Sequence, residues 1–208
     1  MTTDAPVGRD EVVAAILEAA SELFAARGPA ATSIRDIATK ADVNHGLVFR
    51  HLGSKDKLVG AVLDHLGQRL QNLVDAGAPP EVLEAAVDQQ VRVITRVVLD
   101  GYPVGELQTA FPNMNRLVDE FRPRYADETQ ARLAVANIIA LQMGWRLLGT
   151  YLQSALGLGE LTDQQRRAAV EIIVSAPASL HVILVVRAPR SRAQPAIPVH
   201  DLPRRLRL

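Results

Sequence analysis

No cysteine occurs anywhere in the 208 residues, and that one absence removes a disulfide framework, thiolate zinc sites and a Cys nucleophile. It is compatible with a reducing compartment, and the chain is read as cytoplasmic. An excess of one charge is also missing, because 23 basic side chains meet 23 acidic ones. The protein as a whole is therefore no polycation, and any contact with nucleic acid must come from a local patch. The acid-bearing start MTTDAPVGRDEV lacks an apolar h-region, so no signal peptide is read there. The longest apolar stretch, Leu133 to Leu158, is interrupted by Asn137, Gln142 and Arg146, each expensive at the centre of a bilayer. It is read as a buried helix, and no membrane partner is expected.

Catalytic signatures are absent too. There is no Gly-x-Ser-x-Gly elbow, no His-Glu-x-x-His and no phosphate loop, and Gly157-Leu158-Gly159 lacks the third glycine of a dinucleotide fingerprint. His45 and His51 stand six positions apart, about 240° around a helix, so they cannot share a metal on one face. No catalytic residue, metal or cofactor is expected, and the chain is read as a non-enzyme.

What is present is helical periodicity, with hydrophobic residues at 48% and charged residues at 22%, as in an ordinary globular protein. No segment sustains strand alternation and no internal repeat occurs, so the fold class is all-α. The first helix is expected from about Asp10 to Arg27, with Val13, Ile16, Leu17, Ala20, Leu23 and Phe24 on one stripe, stopped by Gly28-Pro29. Ser33 and Asp36 have capping-box spacing and start a short helix ending near Lys40. Ala41-Asp42-Val43-Asn44 leads into a second short helix through His51, which Asn44 is suited to cap. Two short helices joined by so tight a turn make a helix-turn-helix.

Gly53-Ser54 then breaks the chain, and Ser54 caps a longer helix from about Lys55 to Asp75. Gly77-Ala78-Pro79-Pro80 is the clearest linker and marks the expected domain boundary. Further helices are expected at about 81–99, once or twice within 104–122, at 127–156 and from near Thr162, with Pro177 ending or kinking the last. The division is thus a helix-turn-helix domain at 1–54, a connecting helix at 55–76, a larger helical domain at 77–186 and a basic, Pro-rich tail at 187–208. That tail holds 6 basic and 1 acidic side chains and four prolines. It is read as solvated, with contact to DNA or an acidic surface as the alternative.

Residues 32–58 carry the chemistry. The second helix of a helix-turn-helix enters the major groove, about 12 Å wide, and presents its N-terminal residues to base edges. Residues 44–51 span roughly 12 Å as a helix, and their first residues are Asn44, His45 and Gly46. Gly46 costs about 1 kcal/mol against Ala inside a helix, yet lets backbone approach DNA closely. His45 can donate to or accept from a base edge, and Asn44 can cap the helix or meet a phosphate. Phe49 is placed either against a thymine methyl or partly in the core, His51 is read as structural, and Val48 and Leu52 hold the reading helix in place. Lys55 puts a cation in the first turn of a helix, against the macrodipole, a conflict that a phosphate there would remove. Arg35 fits the same account. Within 32–57, five basic residues (Arg35, Lys40, Arg50, Lys55, Lys57) face three acidic ones (Asp36, Asp42, Asp56), which supplies the local patch.

Ile16-Leu17, Ala19-Ala20, Leu23-Phe24, Gly28, Thr32, Ile37-Ala38, Ala41, Val43, Gly46, Phe49, His51, Lys55 and Leu58 together resemble the DNA-binding domain of the tetracycline-repressor (TetR) family over residues 9–60. The resemblance implies an all-helical homodimer on a palindromic double-stranded DNA operator. Its C-terminal domain takes a small effector, here unknown, that changes the spacing of the two reading heads. It also implies phosphate contacts at Thr32 or Ser33, at Phe49 and at Lys55, with base contacts around His45 and Gly46. Four departures stand out: Phe49 in place of a usual Tyr, Asp42 for Gly in the turn, Leu47 for Thr and Leu52 for Phe. Asp42 is tolerable because Asp can adopt the left-handed conformation.

In the C-terminal domain Phe111, Met114, Phe121, Met143, Trp145 and Tyr151 are candidates for an apolar ligand pocket, or for ordinary core. Asn137, Gln142 and Arg146 are polar groups amid apolar helix that can bind ligand, bridge a dimer or reach solvent. The dimer is expected to use the last two helices. The resulting expectation is a transcriptional regulator, a repressor released from its operator by a small, largely apolar ligand. The rival is a helical small-molecule-binding protein, or an enzyme, that no longer reads DNA.

Overall fold

The computed structural model describes residues 8–159, 161, 162 and 165. All regular structure among them is helical: α1 (Arg9–Arg27), α2 (Ile34–Lys40), α3 (His45–Leu52), α4 (Lys55–Asp75), α5 (Pro80–Leu99), α6 (Val104–Leu107), α7 (Pro112–Phe121), a 3-10 turn at Arg122–Arg124, and α8 (Glu128–Leu156). The tail at 187–208, the break at Pro177 and the body of the helix expected from Thr162 lie outside the described residues. At its start Thr162 and Gln165 exchange the reciprocal bonds of a capping box, Thr162 N to Gln165 Oε1 at 2.9 Å and Gln165 N to Thr162 Oγ1 at 3.2 Å.

The helices begin where short polar side chains can take the free backbone N–H groups. Ser33 accepts from Asp36 N at 3.1 Å, and Asp36 Oδ2 accepts from Ser33 N at 2.9 Å. Asn44, Ser54 and Asp127 cap α3, α4 and α8 in the same way. α1 ends at Gly28, whose φ of +79° lets the chain turn away while its N–H still reaches Phe24 O.

The buried stripe of α1 is Val12, Ile16, Ala19, Ala20 and Phe24, with Val13, Leu17 and Leu23 only half-buried on its margin. It is rotated from the expected stripe because α1 is covered by α2, α4 and α5 together. One core joins these residues to Ile37, Ala38 and Val48 of the helix-turn-helix, to Leu58, Val59, Val62, Leu63 and Leu66 of α4, and to Val93 and Val97 of α5. The linker at 77–80 reverses the chain so that α5 runs back along α4 and α1. The core of the N-terminal unit therefore extends past residue 77, and half-buried Tyr102, Val104 and Leu107 also pack on it. A second, smaller core forms where α7 meets α8, around Val118, Phe121, Val135 and Ile138.

α8 departs from the buried helix the sequence suggested. Its buried residues are Ala131, Ala134, Val135, Ile138 and Gly149, whereas Leu147, Leu148, Tyr151 and Leu156 are exposed. By length and composition it is apolar enough to cross a membrane. Its one face on the described chain is tied down by charge: Arg146 donates to Glu84 Oε2 at 2.7 Å and to Asp88, both on α5. Arg146 thus bridges two helices of its own chain, a partnership that the sequence reading did not name.

Candidate functional site

α2 and α3 meet at a turn that only one non-glycine residue makes in the left-handed region, Asp42 at φ +53°. This is the conformation expected of it, and Val43 N closes the turn onto Ala38 O at 3.0 Å. Val48 is fully buried and anchors α3 to the core. Leu47 and Leu52 also pack against that core, so the two apolar departures from the family pattern serve packing. The opposite face of α3 is turned to solvent. His45, Gly46, Phe49 and Arg50 are all exposed, and Phe49 keeps 54% of its surface in solvent.

Asn44 is a cap, its Oδ1 accepting from Gly46 N at 2.8 Å. A Cβ built at Gly46 would meet only that cap oxygen, at 3.2 Å. That contact is tight, and no other described residue crowds the position.

The cations of this region divide into two sets. Arg27 pairs with Asp36 at 2.9 Å and Lys40 with Glu22 at 2.6 Å, so both are spent within the fold. Arg35, Arg50 and Lys57 are exposed and enter no ion pair among the described residues. They are the cations available to an external polyanion.

Thr32 and Lys55 are drawn inward, in contrast to the phosphate roles the resemblance implied for them. Thr32 is 1% exposed and its hydroxyl donates to Gly28 O at 2.7 Å, because α1 and α2 enclose it; Ser33 is the exposed member of that pair. The Lys55 ammonium donates to the carbonyls of Pro29 and Thr32. Burial pushes its pKa below the ordinary 10.5, an effect that the carboxylates of Asp100 and Asp36 partly offset. The cation that opposes the α4 dipole is thus accommodated by two carbonyl oxygens of the turn between α1 and α2.

A cavity of about 150 Å³ lies between α4, α5, the 108–114 segment and α8. Phe111, Met114, Gln142, Met143 and Arg146 line it, as the sequence reading expected, while Asn137 and Trp145 do not. On α8 the lining residues 139, 142, 143 and 146 share one face; residue 137 lies nearly opposite, and 145 about a quarter-turn away. Sequence reasoning missed the α5 wall of Val87, Val91 and Ile94 and the α4 floor at Gly67, since no local signal says which helix a stripe will face. Asp64 fixes the wall by accepting from Thr109 N and Ala110 N, each at 2.9 Å. No cluster of three metal-ligating side chains occurs among the described residues.

Comparison with known proteins decides what kind of molecule carries these features. Residues 16–62 match the model of the bacterial regulatory proteins of the tetR family. The HTH-type transcriptional repressor Rv3405c of Mycobacterium tuberculosis is 58% identical over 170 residues, covering 82% of this chain and 90% of that protein. The chain belongs to the TetR family.

KstR2, an HTH-type transcriptional repressor of Mycobacterium tuberculosis, is 41% identical over 69 residues, 31% of this chain and 34% of its own. A solved structure titled as the molecular basis for control of antibiotic production by bacterial hormones aligns at a TM-score of 0.50. It is 21% identical and covers 78% of this chain and 95% of that one, a likeness in fold alone. TetR-family proteins are transcriptional regulators, not enzymes; they bind operator DNA and dimerise. This TetR-family chain is accordingly a DNA-binding transcriptional regulator.

Proposed function

We propose that this regulator is a repressor that binds a palindromic operator as a homodimer and leaves it when a small, largely apolar ligand occupies the cavity between α4, α5 and α8. The observation that carries the DNA half is the outer edge of α3, where His45, Gly46 and Phe49 stand exposed. His45 and Gly46 read base edges there. Ser33, Arg35, Phe49 and Arg50 meet the phosphate backbone, and Asn44 shapes the start of the helix that presents them. Thr32 and Lys55 act from behind by holding the turn in front of α2.

The apolar lining supports the ligand half, with Phe111, Met114 and Met143 giving shape, and Gln142 and Arg146 polar anchoring. Such a ligand shifts the dimer population toward a head spacing that no longer fits successive major grooves. The open face of α8, with Leu147, Leu148 and Tyr151 exposed, is the surface that pairs with a second copy. Function of this kind is exercised where the chromosome is, in the cytoplasm.

Gly46→Ala tests the reading directly, because it separates stability from DNA binding. Alanine in the exposed first turn gains up to about 1 kcal/mol of helix propensity, offset by its tight 3.2 Å approach to the Asn44 cap oxygen, and its methyl group blocks close approach of DNA. The expected result is a protein whose stability stays within about 1 kcal/mol of wild type and that binds DNA flanking its own coding sequence at least tenfold more weakly in a gel shift. Unchanged binding by Gly46→Ala and by His45→Ala together sinks the assignment.

A further inference from the structure

The turn between α1 and α2 is held by a residue 70 positions away in sequence. Asp100, immediately after α5, accepts a hydrogen bond from the Ala30 backbone N–H at 2.7 Å. One turn earlier, Arg96 donates its Nε to Ala25 O at 3.0 Å. A Cβ built at Gly28 would stand 2.7 Å from the Asp100 carboxylate oxygen, so a side chain at residue 28 would force the carboxylate to shift. From the other side Lys55 holds the carbonyls of Pro29 and Thr32. The segment from Gly28 to Thr32 is therefore gripped between the start of α4 and the end of α5, and it delivers Ser33 and Arg35 at the opening of α2.

We propose that Asp100, supported by Arg96, is a positioning residue for DNA contact: by fixing the Ala30 amide it sets where Ser33 and Arg35 meet the phosphate backbone. Asp100 lies outside the residues 16–62 that carry the family's DNA-binding domain. A carboxylate beside a surface meant for phosphate is an electrostatic liability, and the bond it makes is at the short, charge-assisted end of the range. The same helix lines the cavity through Val87, Val91 and Ile94, so the element that touches a ligand also holds the DNA-contacting turn. The inference rests on the reading of Ser33 and Arg35 as phosphate contacts.

Charge and position predict opposite outcomes, which makes the test decisive. The full-length protein is titrated by fluorescence anisotropy with two labelled duplexes, one of mixed sequence and one cut from the DNA flanking its coding region, across a range of salt. If Asp100 acted only as a charge, Asp100→Ala would tighten binding. As a positioning residue its loss weakens binding to both duplexes, about tenfold for one charge-assisted hydrogen bond, and makes the salt dependence shallower because fewer phosphates are engaged. Asp100→Asn, which keeps an acceptor, restores most of the affinity, and in Asp100→Ala the Ala30 amide exchanges faster while that of Val93 does not. Should Asp100→Ala fail to fold, Asp100→Ser, whose oxygen is too short to reach, replaces it with the same expected outcome. Wild-type or tighter binding by the Ala or Ser variant, with an unchanged salt slope, overturns the proposal. Arg35→Ala separates the layers: if it too binds as wild type, the phosphate reading has failed, and if it alone weakens binding, only the role of Asp100 has.

Discussion

Replacing Lys55 by Met keeps the aliphatic stem and removes the ammonium that donates to the Pro29 and Thr32 carbonyls. Hydrogen bonds from a charged donor contribute about 1.5–3 kcal/mol each in favourable settings. Here two effects reduce that figure. Burial already lowers the pKa of Lys55, so the charged form is held at some cost, and Lys55 itself is only half-buried, so solvent screens part of its charge. Discounting for that screening leaves about 1–2 kcal/mol for the pair. In a chain of 208 residues this lowers the melting midpoint by roughly 2–8 °C. The assay is thermal denaturation followed by circular dichroism, run beside anisotropy with a mixed-sequence duplex. Loss of stability together with weaker DNA binding is expected, because the turn that presents Ser33 loosens. Wild-type stability with weakened binding and a shallower salt slope would falsify the account, since it would make Lys55 a phosphate ligand and not a latch.

Gly60→Ala places a methyl group into the Leu107 carbonyl oxygen; backbone cannot swing aside, so about 1–3 kcal/mol of stability is lost, read as a lower urea midpoint with unchanged m-value. Phe49→Ala leaves stability within about 0.5 kcal/mol because the ring is exposed, yet weakens DNA binding. Phe49→Tyr restores a phenolic hydroxyl at the same place and tightens it. Both are measured by anisotropy, and a large fall in the melting midpoint of Phe49→Ala would make Phe49 a core residue. Asp36 titrates below its usual 3.8, first because its carboxylate accepts from the Ser33 backbone N–H, then from the Ser33 hydroxyl contact and the nearby Arg27. Its contribution to α2 is therefore complete above about pH 4 and is lost as pH falls through the depressed value. A carboxyl carbon titration by NMR that gave Asp36 an ordinary midpoint would refute this.

The local architecture was legible because it is written within four residues. The box at Ser33/Asp36 and the caps at Asn44 and Ser54 each depend on a side chain bonding a backbone group within a turn, and the stop at Gly28 on a left-handed backbone that glycine adopts freely. Such bonds form whatever the rest of the chain does. The start of α3 was legible for the same reason: Asn44 is a favoured N-cap, and Gly46 just behind it is the residue that helix propensity alone does not favour. The TetR resemblance drew on that same local pattern of residues.

Long-range partners were not legible. The sequence set the helices, the tight turn with its left-handed Asp42, the start of α3 from Asn44 to Gly46 and the local excess of cations around it. Only the tertiary structure decided that α5 completes the N-terminal core through Val93 and Val97, that Arg146 pairs with Glu84 and Asp88, that Asn137 and Trp145 turn away from the cavity, and that Lys55 and Asp100 grip one turn from two sides. Spacing fixes which residues share a helical face. The angle at which helices cross, set by side-chain packing along their whole length, decides what each face meets.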